Sequence, residues 1–235
     1  MRDFEYQAPS SIDEAVALLA EHGDRAKMLA GGTDIIVQLR EGLRDASLVV
    51  DVKKIPELMQ IAWRNDGGLE LGASVPCHAI YKDEKIIDSY PALTDSAKII
   101  GGWQIQGRAS IGGNLCNSSP AADSIPSLIV EGAACRIAGP TGERTVPVHD
   151  FCTGPGTNCL TEGELLISLV LPPPAKSAGS RYMRFIPRNE MDIAVVGAGA
   201  WLRLDESGES VEEARLGLAA VAPTPLSADE AAAWL

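Results

Sequence analysis

The amino-acid sequence predicts an α+β protein with two N-terminal α/β subdomains and a C-terminal antiparallel unit. Three observations lead there. Residues up to about 55 alternate helix and strand patterns. Residues 56–174 are rich in strands and glycine turns. A proline run then separates both from a strand-dominated segment at 181–235.

In the first subdomain, PSSIDEAVALLAEHG (9–23) reads as an amphipathic helix. Ser10 or Ser11 is the expected N-cap, with Glu14 placed as in a capping box and Gly23 as the stop. KMLAGG (27–32) is a short apolar strand running into a glycine pair. TDIIVQLREG (33–42) follows as a helix with Thr33 or Asp34 at its start, and SLVVDV (47–52) is a β-branched strand. Together they read as β-α-β-α-β with a small parallel sheet.

The second subdomain offers LMQIAW (58–63), GLELGAS (68–74), CRIAG (135–139) and ELLISLVL (164–171) as strands, divided by turns at 65–68 and 140–142. Helices are expected at ALTDSAKII (92–100) and from Ala121 to Gly132. Leu171–Ser180, with three consecutive prolines, reads as a linker. Beyond it, MDIAVVGAGAWLRLD (191–205) and ARLGLAAVA (214–222) are strands, and SADEAAAWL (227–235) starts a helix that runs out at Leu235. The C-terminal unit is therefore expected to be incomplete.

Composition narrows the function classes. A formal net charge of −12 and 5% aromatic residues argue against a nucleic-acid partner, since phosphate backbones need Lys/Arg surfaces and single strands need stacking platforms. A small phosphate-bearing ligand stays open, because backbone N–H groups can hold one without net positive charge. No apolar run approaches the roughly 20 residues of a membrane span. The N-terminus lacks a secretory h-region, and the five cysteines never form CxxC or a Cys/His cluster. A reduced cytoplasmic protein without a metal site is the expectation.

Two glycine pairs carry the candidate chemistry. In Ala30-Gly31-Gly32-Thr33-Asp34, adjacent glycines permit close backbone approach, and Thr33 adds a hydroxyl donor. The alternative is a strand-to-helix turn that needs only small residues. In Ser110-Ile111-Gly112-Gly113-Asn114 and the residues after it, short donors crowd a second such loop, with Asp123 just before an apolar helix. The alternatives there are a satisfied buried turn and a helix cap at Asp123. Val196-Gly197-Ala198-Gly199-Ala200 resembles the start of a dinucleotide fingerprint, but Trp201-Leu202 follow where the third glycine belongs, and no helix opens. A glycine-dotted strand is the better reading. His22, His78 and His149 stand alone, and no nucleophile elbow or P-loop is present. Any chemistry would thus belong to a cofactor.

Four segments in order, AGGTD (30–34), SIGGNLCNSSPAADSIPSL (110–128), LLISLVLPPP (165–174) and YMRFIPRNEMDIAVVGAGAWL (182–202), resemble the FAD-binding (medium) subunit of the molybdenum hydroxylases, the xanthine dehydrogenase and aerobic carbon monoxide dehydrogenase family. The resemblance implies a vanillyl-alcohol-oxidase/PCMH-type FAD-binding domain over 1–174, with subdomains of about 1–55 and 56–174, and an incomplete cap domain over 181–235. It implies FAD as cofactor, its pyrophosphate held by Ala30, Gly31, Gly32, Thr33, Asp34 and by Ser110, Ile111, Gly112, Gly113, Asn114. Asp123 would approach the ribityl and flavin side. Ile100 with Gly101 and Leu166 would border the adenine or flavin, Arg184 would take the place of a basic residue near the ring, and Arg188, Asp192 and Ile193 would border the isoalloxazine.

The same resemblance implies partners: an iron–sulfur small subunit and a molybdopterin large subunit, assembled as a dimer of heterotrimers. Electrons would pass through this chain to NAD or another acceptor. The cysteine-rich insertion of the hydroxybenzoyl-CoA reductase branch is missing, so no cluster is expected in this chain. Two other readings remain: a stand-alone FAD-dependent oxidoreductase, and a scaffold subunit that kept the fold without the cofactor.

Overall fold

The computed structural model describes residues 2–235. The first layer is a three-stranded parallel sheet of β1 (Glu5–Gln7), β2 (Ala26–Leu29) and β3 (Leu48–Asp51), in the order β1-β3-β2. Helix α1 (Ile12–His22) connects β1 to β2, and the short α2 (Ile35–Arg40) connects β2 to β3. This is the expected β-α-β-α-β unit. Ser11 caps α1 by accepting from the Glu14 N–H, while the Glu14 carboxylate reaches back to the Ser10 N–H at 2.7 Å. Gly23, at φ 53°, stops the helix. Leu48, Val50, Ala15 and Leu19 close a small core against Leu165 and Ile167.

The second layer is a five-stranded antiparallel sheet in the order β4-β5-β10-β6-β7. Its strands are β4 (Ile61–Trp63), β5 (Leu69–Gly72), β6 (Ala134–Gly139), β7 (Gly142–Pro147) and, between β5 and β6, β10 (Leu165–Leu171), buried along nearly its whole length. The segment LMQIAW is only half strand. Pro56 occupies the first turn of α3 (Pro56–Met59), so Leu58 and Met59 are helical and the strand starts at Ile61. Gly67 (φ 89°) and Gly142 (φ 113°) supply the left-handed residues of the two hairpin turns.

Seven short helices and a ribbon surround this sheet: α4 (Cys77–Ile80), α5 (Glu84–Ser89), α6 (Pro91–Ala97), α7 (Trp103–Gln106), α8 (Ile111–Asn117), α9 (Ser124–Val130), together with α3, and the pair β8 (Cys152–Gly154) and β9 (Thr157–Asn158). Sequence patterning extended α6 to residue 100 and opened α9 at 121. The structure ends α6 at Ala97, where Gly101 and Gly102 follow within a turn, and starts α9 at Ser124. The second glycine pair is not a loop. Ser110 accepts from the Gly113 N–H and caps α8, so Gly112 and Gly113 lie in a helical first turn.

The third layer is a four-stranded antiparallel sheet, β11 (Ala178–Phe185), β12 (Val196–Leu204), β13 (Val211–Ala219) and β14 (Leu226–Ser227), followed by α10 (Asp229–Ala232). The expected linker is shorter than its composition indicates, because Ala178, Gly179 and Ser180 pair with β12. The GAGA segment is the interior of β12. A β-carbon on Gly199 would lie 2.9 Å from the Pro126 carbonyl oxygen, and one on Gly217 of β13 would lie 2.8 Å from it. These glycines let the sheet approach α9 at backbone distance.

Candidate functional site

A cleft of about 920 Å³ opens where the three layers meet, near the top of the range of about 300–1,000 Å³ usual for small-molecule and cofactor sites. Of the residues singled out by sequence, Ala30, Gly31, Gly32, Thr33 and Asp34 line it from the β2–α2 turn. Ser110, Gly112, Gly113 and Asn114 line it from the start of α8. Ile100, Asp123, Leu166, Arg184 and Ile193 complete the wall, with Arg188 and Asp192 beside them. Ile111 does not face the cleft; it is 1% exposed and packs into the main core.

Donor groups without partners mark the middle of the cleft. Among the described residues, the backbone N–H groups of Gly31, Gly32, Thr33 and Asp34 donate to nothing, although Gly31 is buried. Gly112 is likewise a buried residue whose N–H has no partner. Buried orphan amides are rare in folded proteins. Asn114 accepts from the Ser124 hydroxyl at 2.6 Å through Oδ1, which leaves its Nδ2 as a free donor. These donors suit a diphosphate; the Asp34 carboxylate, which accepts from no donor among the described residues and is pushed up by burial, stands at the edge of the same turn. A bridge from Gln38 Nε2 to Asn117 Oδ1 at 3.1 Å ties α2 to the end of α8.

The two outer glycines hold the halves together. A β-carbon on Gly31 would stand 2.2 Å from the Arg108 carbonyl oxygen, and one on Gly112 would stand 2.4 Å from that of Ala73. Gly32 adopts φ 79°. The packing reading holds for Gly31 and Gly112, whose missing side chains admit distant backbone, and the same residues line the cleft with N–H groups that have no partner.

Asp123 resolves otherwise. Its side chain caps nothing. Instead Oδ2 accepts from Arg184 Nη1 at 2.7 Å and Oδ1 from the Tyr182 hydroxyl at 2.9 Å, with both charged side chains about nine-tenths buried. Burial pushes the Asp123 carboxyl up, and the Arg184 guanidinium and the Tyr182 hydroxyl pull it back. Burial, and then the Asp123 charge, also raise the Tyr182 phenol. A β-carbon on Gly197 would lie 2.3 Å from that hydroxyl, so Gly197 is what admits Tyr182 beneath the cleft. Arg188 pairs with Asp192 at 3.1 Å, and the Ile193 N–H donates to Asp192 Oδ1 at 2.9 Å, which folds the exposed 188–193 segment over one end.

Sequence reasoning missed Tyr182, and the far wall at Asn158 and Leu160–Glu164 opposite Lys27 and Met28. Nothing local flags those residues, because topology alone brings the turn before β10 across from β2.

Comparison with known proteins follows the same lines. Residues 2–174 match the family model described as FAD binding domain in molybdopterin dehydrogenase. The chain belongs to this family. Residues 181–235 match the CO dehydrogenase flavoprotein C-terminal domain. Among FAD-domain relatives, the xanthine dehydrogenase FAD-binding subunit of Escherichia coli O157:H7 is 36% identical over 233 residues, covering 98% of this chain and 79% of the relative. The carbon monoxide dehydrogenase medium chain of Hydrogenophaga pseudoflava is 33% identical over 229 residues, covering 95% and 76%. A solved structure of the Hydrogenophaga pseudoflava carbon monoxide dehydrogenase that lacks the Mo-pyranopterin moiety superposes with a TM-score of 0.94 at 32% identity, over 100% of this chain and 80% of that one. Quinoline 2-oxidoreductase from Pseudomonas putida 86 gives 0.91 at 28% identity, over 100% and 80%. These family relationships make the chain an FAD-binding oxidoreductase subunit with a mixed helix and sheet fold. No helix among the described residues is long and apolar enough to cross a membrane.

Proposed function

We propose that this chain is the electron-relay subunit of a multi-subunit molybdenum hydroxylase, holding FAD in the cleft between its three layers. The observation that carries the reading is the row of unpartnered N–H groups at Gly31–Asp34 and Gly112, set against the buried Asp123–Arg184 pair. FAD, when bound, supplies the capacity to take up and release electrons singly or in pairs.

The chain's own residues bind and orient it. The amides of Gly31, Gly32, Thr33, Asp34 and Gly112, with Asn114 Nδ2, would hold the pyrophosphate. Ile100 and Leu166 would pack against ring faces, and Arg184, fixed by Asp123, would set a positive charge near the flavin. Residues 1–174 would form the FAD-binding domain, in subdomains of about 1–55 and 56–174, and 181–235 the cap.

The partners would be an iron–sulfur small subunit, which delivers electrons, and a molybdopterin large subunit, which oxidises the substrate, in a dimer of heterotrimers. NAD or another acceptor would receive the electrons. Trp103, Met191 and Ile193, which are 86%, 52% and 76% exposed, would lie near the flavin and fit a surface that a partner covers.

The purified chain is expected to be yellow, with a flavin spectrum, and to release equimolar FAD on denaturation. A colourless protein that takes up no added FAD overturns the reading. Affinity purification from the native host distinguishes the relay from a stand-alone oxidoreductase: both partner subunits should co-purify, and neither would in the second case.

A further inference from the structure

Two cations hold the Ala30–Asp34 turn from behind. Lys53 Nζ donates to the Ala30 carbonyl at 2.9 Å and to Asp51 Oδ1 at 2.7 Å. Asp51 is buried, and also accepts from the Lys53 N–H at 3.0 Å and the Tyr6 hydroxyl at 2.6 Å. Arg108 Nε donates to the Gly31 carbonyl at 2.9 Å. Neither Lys53, Asp51 nor Arg108 lines the cleft, whereas Ala30, Gly31 and Gly32 do.

Across a trans peptide, the C=O of one residue and the N–H of the next point in opposite directions. No peptide among the described residues is cis. Drawing the Ala30 carbonyl back to Lys53 therefore turns the Gly31 N–H forward. Drawing the Gly31 carbonyl back to Arg108 does the same for the Gly32 N–H. Both amides are among the unpartnered donors of the cleft. A glycine pair left to itself samples many orientations, so something must hold these peptide planes.

We propose that Lys53 and Arg108 are positioning residues for the pyrophosphate, which hold the two peptide planes in the donating orientation without touching the cofactor. The inference rests on the FAD reading above. Tyr6 and Asp51 extend the brace, because they fix the Lys53 ammonium where it meets the Ala30 carbonyl.

The experiment uses the full chain and FAD as the probe. Lys53→Met, Lys53→Arg and Arg108→Met are compared with wild type for FAD dissociation constant, for melting temperature of the apoprotein, and for the ³¹P resonances of bound FAD. Lys53→Met and Arg108→Met should each weaken FAD about ten- to a hundredfold, the effect of losing a charge-assisted hydrogen bond. Both should displace the ³¹P resonances, and Lys53→Arg should restore most of the affinity.

Lys53→Met also strips buried Asp51 of its counter-ion and can unfold the chain. Arg108 pairs with no carboxylate among the described residues, so Arg108→Met keeps the question answerable. Unchanged affinity overturns the inference. So does weakened affinity with unmoved ³¹P resonances, which would mean general destabilisation. Wild-type protein that takes up no FAD defeats the FAD reading itself, and this inference with it.

Discussion

A β-carbon on Gly112 would meet the Ala73 backbone at 2.4–2.7 Å, whereas one on Gly113 would meet only the Ser110 hydroxyl, at 3.0 Å. Backbone cannot step aside and a hydroxyl can rotate, so these neighbours respond differently to substitution. Gly112→Ala is expected to cost about 1–3 kcal/mol from overpacking. Gly113→Ala should melt close to wild type while releasing FAD more readily, because its new methyl is added at the cleft wall. Thermal melts of both apoproteins, paired with FAD titration, check this; equal melting temperatures would contradict the packing argument. It follows that Gly112 is the wrong position for separating cofactor loss from misfolding. The Asp123–Arg184 pair is sensitive in another way. Arg184→Met would leave a buried carboxylate without its cation, with an expected loss of about 3–5 kcal/mol, read as a lower urea midpoint at neutral pH. The loss should shrink in the double variant Asp123→Asn/Arg184→Met, and an undiminished loss would mean that the pair is not what stabilises the site.

Strands β12 and β13 approach α9 so closely that only glycine fits at 199 and 217. In sequence these residues look like a nucleotide fingerprint; in the fold they form a packing seam. Gly199→Val is expected to lift the C-terminal sheet from α9 and to speed tryptic cleavage at Arg181 and Arg203, measured against wild type under native conditions. Unaltered cleavage would show that the sheet does not depend on this contact. The start of α8 carries the complementary lesson. Sequence patterning found the donors of SIGGN but not the helix they open, because two glycines lower helix propensity. The Ser110 cap and burial of Ile111 and Leu115 outweigh that.

The C-terminal sheet is joined to the FAD-binding layers through buried polar groups as well as through the seam. Glu131, at the end of α9, accepts from the Ser180 hydroxyl of β11, and Ser180 accepts in turn from the Ala92 N–H at 3.1 Å. Arg215 of β13 and the Tyr90 hydroxyl are the other titratable groups facing this region. Burial raises the Glu131 carboxyl from 4.5 to about 7, with Ser180 and Arg215 opposing. A raised acid contributes stability that is complete below pH 4.5 and is lost as pH rises through 7. Glu131→Gln keeps the hydrogen bond without the charge. Its melting temperature should therefore change less than that of wild type between mildly acidic and mildly alkaline buffer; parallel curves would rule the group out. The cleft itself depends on all three layers, since the β2–α2 turn, the α8 start and β11 each contribute one wall.

Local chemistry in the chain already specified the alternating N-terminal unit, the strands at 135–139 and 165–171, both glycine pairs and the identity of the GAGA segment as strand. Those features rest on caps, side-chain periodicity and glycine conformation, which act over a few residues. Long-range geometry settled the rest: that Asp123 pairs with Arg184 rather than capping α9, that Gly31 and Gly112 seat against distant backbones, and that Lys53 and Arg108 reach the carbonyls of Ala30 and Gly31. Such contacts join residues tens of positions apart. Which buried group meets which partner is fixed by how the sheets stack, and no window along the chain contains that information.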